Sequence, residues 1–233
     1  RASDRNLAPP DDLGPSQTLV VAFGHPSGIA ELKELPGFQE GTVGLLRADA
    51  LAVVLARPED LPGRWYGLDA ASVVVLDTND DTALEAVRTR LDALTRWVKN
   101  GGHLVVAGAQ RGQQVRELLG PILPAVPNGT IKLNDLGEIE TFAGPKTAPI
   151  PGNSMVAARL EQVEEQQGRA LAATTSTPVV VRRALGFGRV TLVGLDVDQA
   201  PFATWPDRAL FWVRVLDLHA RETDPNAAAA SAC

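Results

Sequence analysis

Cysteine occurs once in this 233-residue chain, at Cys233, so no disulfide framework can staple the fold. Methionine and tyrosine also occur once each, and aromatic residues make up 5% of the chain. The three histidines, His25, His103 and His219, are far apart and lack the paired spacing of a zinc site. Long apolar runs are missing: "LVVAF" and "SVVVLD" are strand-length, against the roughly 20 residues of a membrane span. A basic excess is missing too. Lys and Arg number 22 against 28 Asp and Glu, a formal charge of −6, which argues against nucleic-acid binding. There is no G-x-S-x-G elbow, and Cys233 lies in an alanine-rich tail, so nothing marks a Ser or Cys nucleophile with its base.

What is present is the pattern of an α/β domain. Hydrophobic residues make up 45% of the chain and charged residues 21%, ordinary for a globular protein. Continuous apolar runs at Gln17 to Phe23, Ala50 to Ala56, Ser72 to Asp77 and His103 to Gly108 suit strands buried on both faces. Between them, a short helix fits around Ile29 to Leu35. The segment Thr82 to Asn100 predicts a helix, with Leu84, Val87, Leu91, Leu94 and Val98 on one stripe. Thr82 and Glu85 have the spacing of a capping box, and Gly101 or Gly102 supplies the left-handed residue that ends the helix. "GQQVRELLG" predicts a short helix stopped by Gly120 and Pro121.

From about Pro124 the segments "TIKLND", "EIETFAG", "SMVAARLE", "RALAATTS" and "TPVVVRRAL" are short, half-polar and punctuated, which predicts antiparallel β-structure. Gly188 to Asp196 then returns to a buried strand, and "PDRALFWVRVLDLHAR" closes with an amphipathic helix. The expected organisation is a flexible leader at 1–16, one domain at 17–222 with a β-rich insertion at about 124–185, and a disordered tail at 223–233. Both ends look cut, by processing or by design.

Mostly parallel sheets bind ligands outside the carboxyl ends of their strands. The residues expected there are His25, then Asp77, Asn79 and Asp80, then Gln110 and Arg111, and finally Asp196 and Asp198. "DTNDD" (77–81) offers several oxygens to a cation, but it equally suits a helix N-terminus, where acidic groups meet the dipole. The glycines of "GFGRVTLVG" precede a strand and so predict a hairpin turn, in the wrong order for a dinucleotide fingerprint. No metal or cofactor is implied. Trp97 and Trp212 fall on helices, where core packing is the default, whereas Trp65 and Trp205 fall in loops and are candidates for an exposed carbohydrate contact.

The phrases "EDLPGRWYGLDAASVVVLD", "LDALTRWVKNGGHLVVAGA", "LLGPILP" and "RRALGFGRVTLVGLDVDQAPFATWPDRALFWVRVL" occur in this order. Together they resemble bacterial membrane-anchored proteins whose exported portion carries a class I glutamine amidotransferase-like domain. The resemblance spans roughly Thr18 to Leu218. It implies a three-layer, flavodoxin-like or amidotransferase-like sandwich with an antiparallel insertion. It also implies an extracytoplasmic place at the cell envelope, with the membrane reached through segments outside this chain. Active amidotransferases carry a cysteine in the sharp turn after the central strand; here that turn holds Ala109, Gln110 and Arg111. The resemblance therefore implies the scaffold of an enzyme without its nucleophile. The expected function is a non-catalytic binding, sensing or scaffolding domain with a protein, small-molecule or glycan partner. The alternatives are a hydrolase or ligand-processing enzyme using Asp77, Asp80 and His25 with a bound cation or water, and a carbohydrate-binding module using a loop tryptophan.

Overall fold

In the computed structural model, the residues described are 18–35, 51–175 and 177–218. The expected leader, the tail, His219 and Cys233 lie outside them. The first half contains, in order, strands β1 (Thr18–Phe23), β2 (Leu51–Ala56) and β3 (Val73–Asp77), helix α1 (Asp81–Lys99), strand β4 (His103–Ala107) and helix α2 (Gly112–Leu119). The second half contains β5 (Val126–Leu133), α3 (Gly137–Ala143), β6 (Met155–Glu161), β7 (Arg169–Ala173), β8 (Pro178–Leu185), β9 (Gly188–Val193) and α4 (Arg208–Leu216). Among the described residues, no helix is long and apolar enough to cross a membrane.

The main sheet has seven strands in the order β2-β1-β3-β4-β9-β8-β7. Five of them, β2 through β9 in that order, pair in parallel, and the β8 and β7 pairings are antiparallel. The expected β-rich insertion is thus divided: β7 and β8 widen the main sheet, while β5 and β6 form a separate antiparallel pair. The fold is mixed α/β, with a mostly parallel sheet, a second antiparallel sheet and helices around them.

Side chains on a strand alternate between faces, and here each face has its own core. Val73, Val75, Val105 and Ala107 pack with Phe202, Phe211, Trp212 and Ile139 on the side of α3 and α4. Val74, Leu76, Leu104 and Val106 pack with Leu84, Val87, Leu94 and Trp97 of α1 and Leu119 of α2. All five residues of β3 and all five of β4 are buried, which is why these strands read as unbroken apolar runs.

Two local expectations are corrected and a third is met. The cap of α1 is Asp80, whose carboxylate accepts from the Thr82 N–H at 2.8 Å and from its hydroxyl at 2.7 Å; Glu85 pairs with Arg88 instead of reaching back. "EIETFAG" is the helix α3, since Ile139 and Ala143, four residues apart, are the positions it buries. Gly101 takes the positive φ of 125° that ends α1, as expected, but Gly102 is the more confined of the two. A Cβ at Gly102 would stand 2.4 Å from the Trp97 ring, and one at Gly101 would meet nothing.

Candidate functional site

The carboxyl ends of β1, β3, β4 and β9 bring most of the expected polar residues together. Thr78, just after β3, donates its hydroxyl and its backbone N–H to the Ala107 carbonyl, both at 2.8 Å, which ties that loop to β4. Asp77 ends β3 and is 5% exposed. One of its oxygens accepts from the Asn79 N–H at 3.0 Å. Gly24, at the end of β1 with φ 98°, lies so close that a Cβ there would meet the Asp77 Cβ at 2.6 Å. Only glycine gives the chain both this turn and this approach.

Asn79 is the hub. Its Nδ2 donates to Asp196 Oδ1 at 3.1 Å and to Asp198 Oδ2 at 2.9 Å, so both amide protons are used. Gln110, after β4, donates to the other Asp196 oxygen at 2.5 Å. Asp196 is 3% exposed, and each of its oxygens accepts from a side-chain amide. Arg111 Nε donates to the Asn79 carbonyl at 3.0 Å, and its guanidinium pairs with Asp81. The order of the chain did not foretell this closure; the βα topology supplied the meeting point and the amides supplied the bonds.

The carboxyl of Asp77 lies beside that of Asp198. Burial, and then the Asp198 charge, push Asp77 from 3.8 up to about 7, against the opposing pull of the Asn79 N–H.

Two expected residues stay outside the network. Asp80 is spent capping α1. The His25 side chain is exposed, although its backbone hydrogen-bonds the Asp77 carboxyl. The "DTNDD" oxygens therefore do separate work, and no group of three or more His, Cys, Asp or Glu among the described residues is arranged to hold a metal ion. Trp205 is fully buried and donates its ring N–H to the Ala148 carbonyl at 2.7 Å, so it is a core residue and not an exposed contact. Trp65 is half-buried, with Arg96 5.5 Å over its ring.

Beside the network, a groove of about 700 Å³ lies between the start of α2 and β5. It is lined by Gln110, Gln113, Arg116, Asn128 and Thr130, among others. Of these, only Gln110 was expected from sequence. The rest depend on where β5 returns, which its own alternation does not reveal.

Neither a protein-family model nor a curated protein matches the chain. It is similar in structure to the cytoplasmic protein STM3548 from Salmonella typhimurium, at 15% identity and a TM-score of 0.56 over 88% of this chain and 100% of that one. It is similar also to the cytoplasmic protein STM1381 from Salmonella typhimurium LT2, at 16% identity and 0.55 over 86% and 98%. The novel carbohydrate deacetylase Agd3 matches at 15% identity and 0.47, over 86% of this chain and 32% of that one. These likenesses concern the fold. They correct the amidotransferase resemblance and the membrane-anchored, extracytoplasmic placement drawn from it: no family model carries it, and the two neighbours covered almost in full are named as cytoplasmic proteins. The physical reason is that the quoted phrases are glycine turns and buried strands, which any mostly parallel α/β sheet demands.

Proposed function

We propose that this chain is a non-catalytic binding domain whose ligand sits in the groove beside the carboxyl-edge network. One observation carries the proposal: both oxygens of the buried Asp196 are held by side-chain amides, and Asp77 beside it is buried as well. A nucleophile or general base needs a free lone pair aimed at a substrate; Asp196 accepts an amide at each oxygen and is 3% exposed, and Asp77 is 5% exposed and keeps its proton up to about pH 7. The network acts as a brace that fixes the loops after β3, β4 and β9.

The parallel strands run 2-1-3-4 and then β9, and we read the sheet as a flavodoxin-like doubly wound arrangement, whose switch point lies between β1 and β3. The Asp77 side chain fills that crevice against Gly24, which moves the open space to the groove at α2 and β5. Gln110, Gln113, Asn128 and Thr130 offer neutral donors and acceptors, and Arg116 and Glu117 place one charge of each sign beside them. This lining suits a small, uncharged molecule with several hydrogen-bonding groups, such as a polyol or a sugar.

The test is amide chemical-shift mapping of the chain against a panel of sugars, polyols and neutral amides. Saturable shifts at Gln113, Asn128 and Thr130, weakened by Gln113→Ala and Thr130→Val, are expected. Saturable binding confined to other surfaces, or none from the whole panel, refutes the proposal.

A second reading rests on Asp77. A carboxyl that keeps its proton up to about pH 7 has the property of a general acid. Its burial at 5% exposure separates it from a substrate in the groove.

A further inference from the structure

The amino-terminal edge of the sheet, opposite the network, carries a different chemistry. A cavity of about 610 Å³ opens there, and its lining includes four arginines and no acidic side chain, in a chain whose formal charge is −6. Strand register gathers three of them on one face. Arg169 of β7 lies opposite Arg182 of β8, and Arg189 of β9 lies opposite both Ala184 and His103. Positions 182 and 184 share a parity and therefore a face. Arg183 turns the other way and donates to the Pro121 carbonyl at 2.7 Å.

The floor of this face is polar and fixed. Arg182 donates through Nε to the Thr191 hydroxyl at 2.9 Å, and that hydroxyl lies 2.9 Å from His103 Nε2. A guanidinium only donates, so the hydroxyl proton is left for the imidazole. His103 is 3% exposed, and burial, then the Arg189 and Arg182 charges, push it down to about 2. It is neutral and adds no positive charge.

Asp217, just past α4, is the counter-ion. It stands 3.2 Å from Arg189 and 3.6 Å from Arg182. One carboxylate thus faces two guanidiniums, with Arg169 beside them and in no ion pair among the described residues. Arg189 Nε is buried with no hydrogen-bond partner. Burial and the Arg189 charge also press Arg182 below its ordinary value, as expected of positive charge short of an anion.

We propose that this cavity binds the phosphoryl group of a small phosphorylated molecule. After Asp217 is set against one of the three arginines, the surplus charge matches a phosphate dianion. Arg182 also donates to the Val215 carbonyl at 2.6 Å and stays in the floor, so the planar guanidinium forks of Arg169 and Arg189 are the ones that suit the phosphate oxygens. Phe187, at the tip of the β8–β9 hairpin, lines the same cavity and is 94% exposed. It supplies an apolar wall for the organic part of a phosphomonoester.

The experiment is calorimetry on the full chain at low ionic strength, with inorganic phosphate and phenyl phosphate as probes and chloride as the control. Saturable binding of phenyl phosphate is expected. Arg169→Gln removes an exposed guanidinium that is in no ion pair among the described residues, and should weaken both probes about tenfold with the melting point in chloride unchanged. Asp217→Asn removes the competing carboxylate and should strengthen both, since asparagine tolerates the φ of 59° at that position. Tighter binding of phenyl phosphate, reduced to the level of inorganic phosphate by Phe187→Ala, assigns the site to a phosphomonoester; equal affinities assign it to free phosphate and remove the organic part of the proposal. Binding of neither probe, or binding that both Arg169→Gln and Asp217→Asn leave unchanged, overturns it.

Discussion

Asp77→Asn should change the pH dependence of stability in a direction fixed by the structure. In the folded chain Asp77, buried and beside Asp198, keeps its proton up to about pH 7, whereas a free aspartate loses it near 3.8. Between those values the folded state holds more protons than the unfolded one. The stabilisation is therefore complete below pH 3.8 and is lost as pH rises through about 7. For a group this buried, the total is on the order of 4 kcal/mol, falling by up to about 1.4 kcal/mol per pH unit. His103 works the other way. It stays neutral in the fold down to about pH 2 but titrates at 6.5 when unfolded, so its contribution is complete above pH 6.5 and is lost as pH falls. From pH 3.8 to 6.5 the two slopes oppose each other, and their contributions to the wild-type profile nearly cancel. Asparagine at position 77 mimics the protonated carboxyl and removes only the first slope. Over that window the variant should gain on wild type by about 3 kcal/mol. Urea titrations followed by the fluorescence of the buried Trp97, Trp205 and Trp212 measure this. A constant difference between variant and wild type across the window refutes the proton held by Asp77.

Further outcomes follow from particular contacts. His103→Gln should produce the opposite profile, losing on wild type as pH rises, in the same urea titrations. Asn79→Ala leaves Asp198 without its amide donor and Asp196 with Gln110 alone, and should cost about 2–4 kcal/mol in chemical denaturation, since charge-assisted bonds to buried groups are the costly ones to lose. Gly101→Ala should cost about 1 kcal/mol through its positive φ. Gly102→Ala, which presses on the Trp97 ring, should cost about 1–3 kcal/mol and shift the near-ultraviolet tryptophan signal, whereas Gly101→Ala leaves that signal in place.

Much of this was legible in the sequence because long elements repeat their signal. The stripe of α1 and the unbroken apolar runs of β3 and β4 state their burial several times over. Short elements do not: "EIETFAG" offers only Ile139 and Ala143 as a helical pair, too few to outweigh its strand-like look. The cap of α1 was misplaced because "DTNDDT" offers several capping side chains, and backbone geometry chose Asp80. The carboxyl-edge residues were found because topology alone places strand ends together. Their mutual satisfaction was not, because it depends on Asn79 reaching two aspartates more than a hundred residues later. The arginine face was hidden for a related reason: Arg182 and Arg189 become neighbours only through the β8–β9 register, and Arg169 only through β7.

The central claim is that the carboxyl-edge acids brace the fold and do no chemistry, and a turnover assay tests it most directly. The purified chain would be incubated with chromogenic esters, glycosides and acetamides, beside Asp77→Asn and Asp196→Asn variants shown to be folded by near-ultraviolet dichroism. The account predicts that wild type and both variants release no product above the buffer blank. Turnover by wild type that disappears in a folded Asp77→Asn or Asp196→Asn variant would contradict it and make the network an active site.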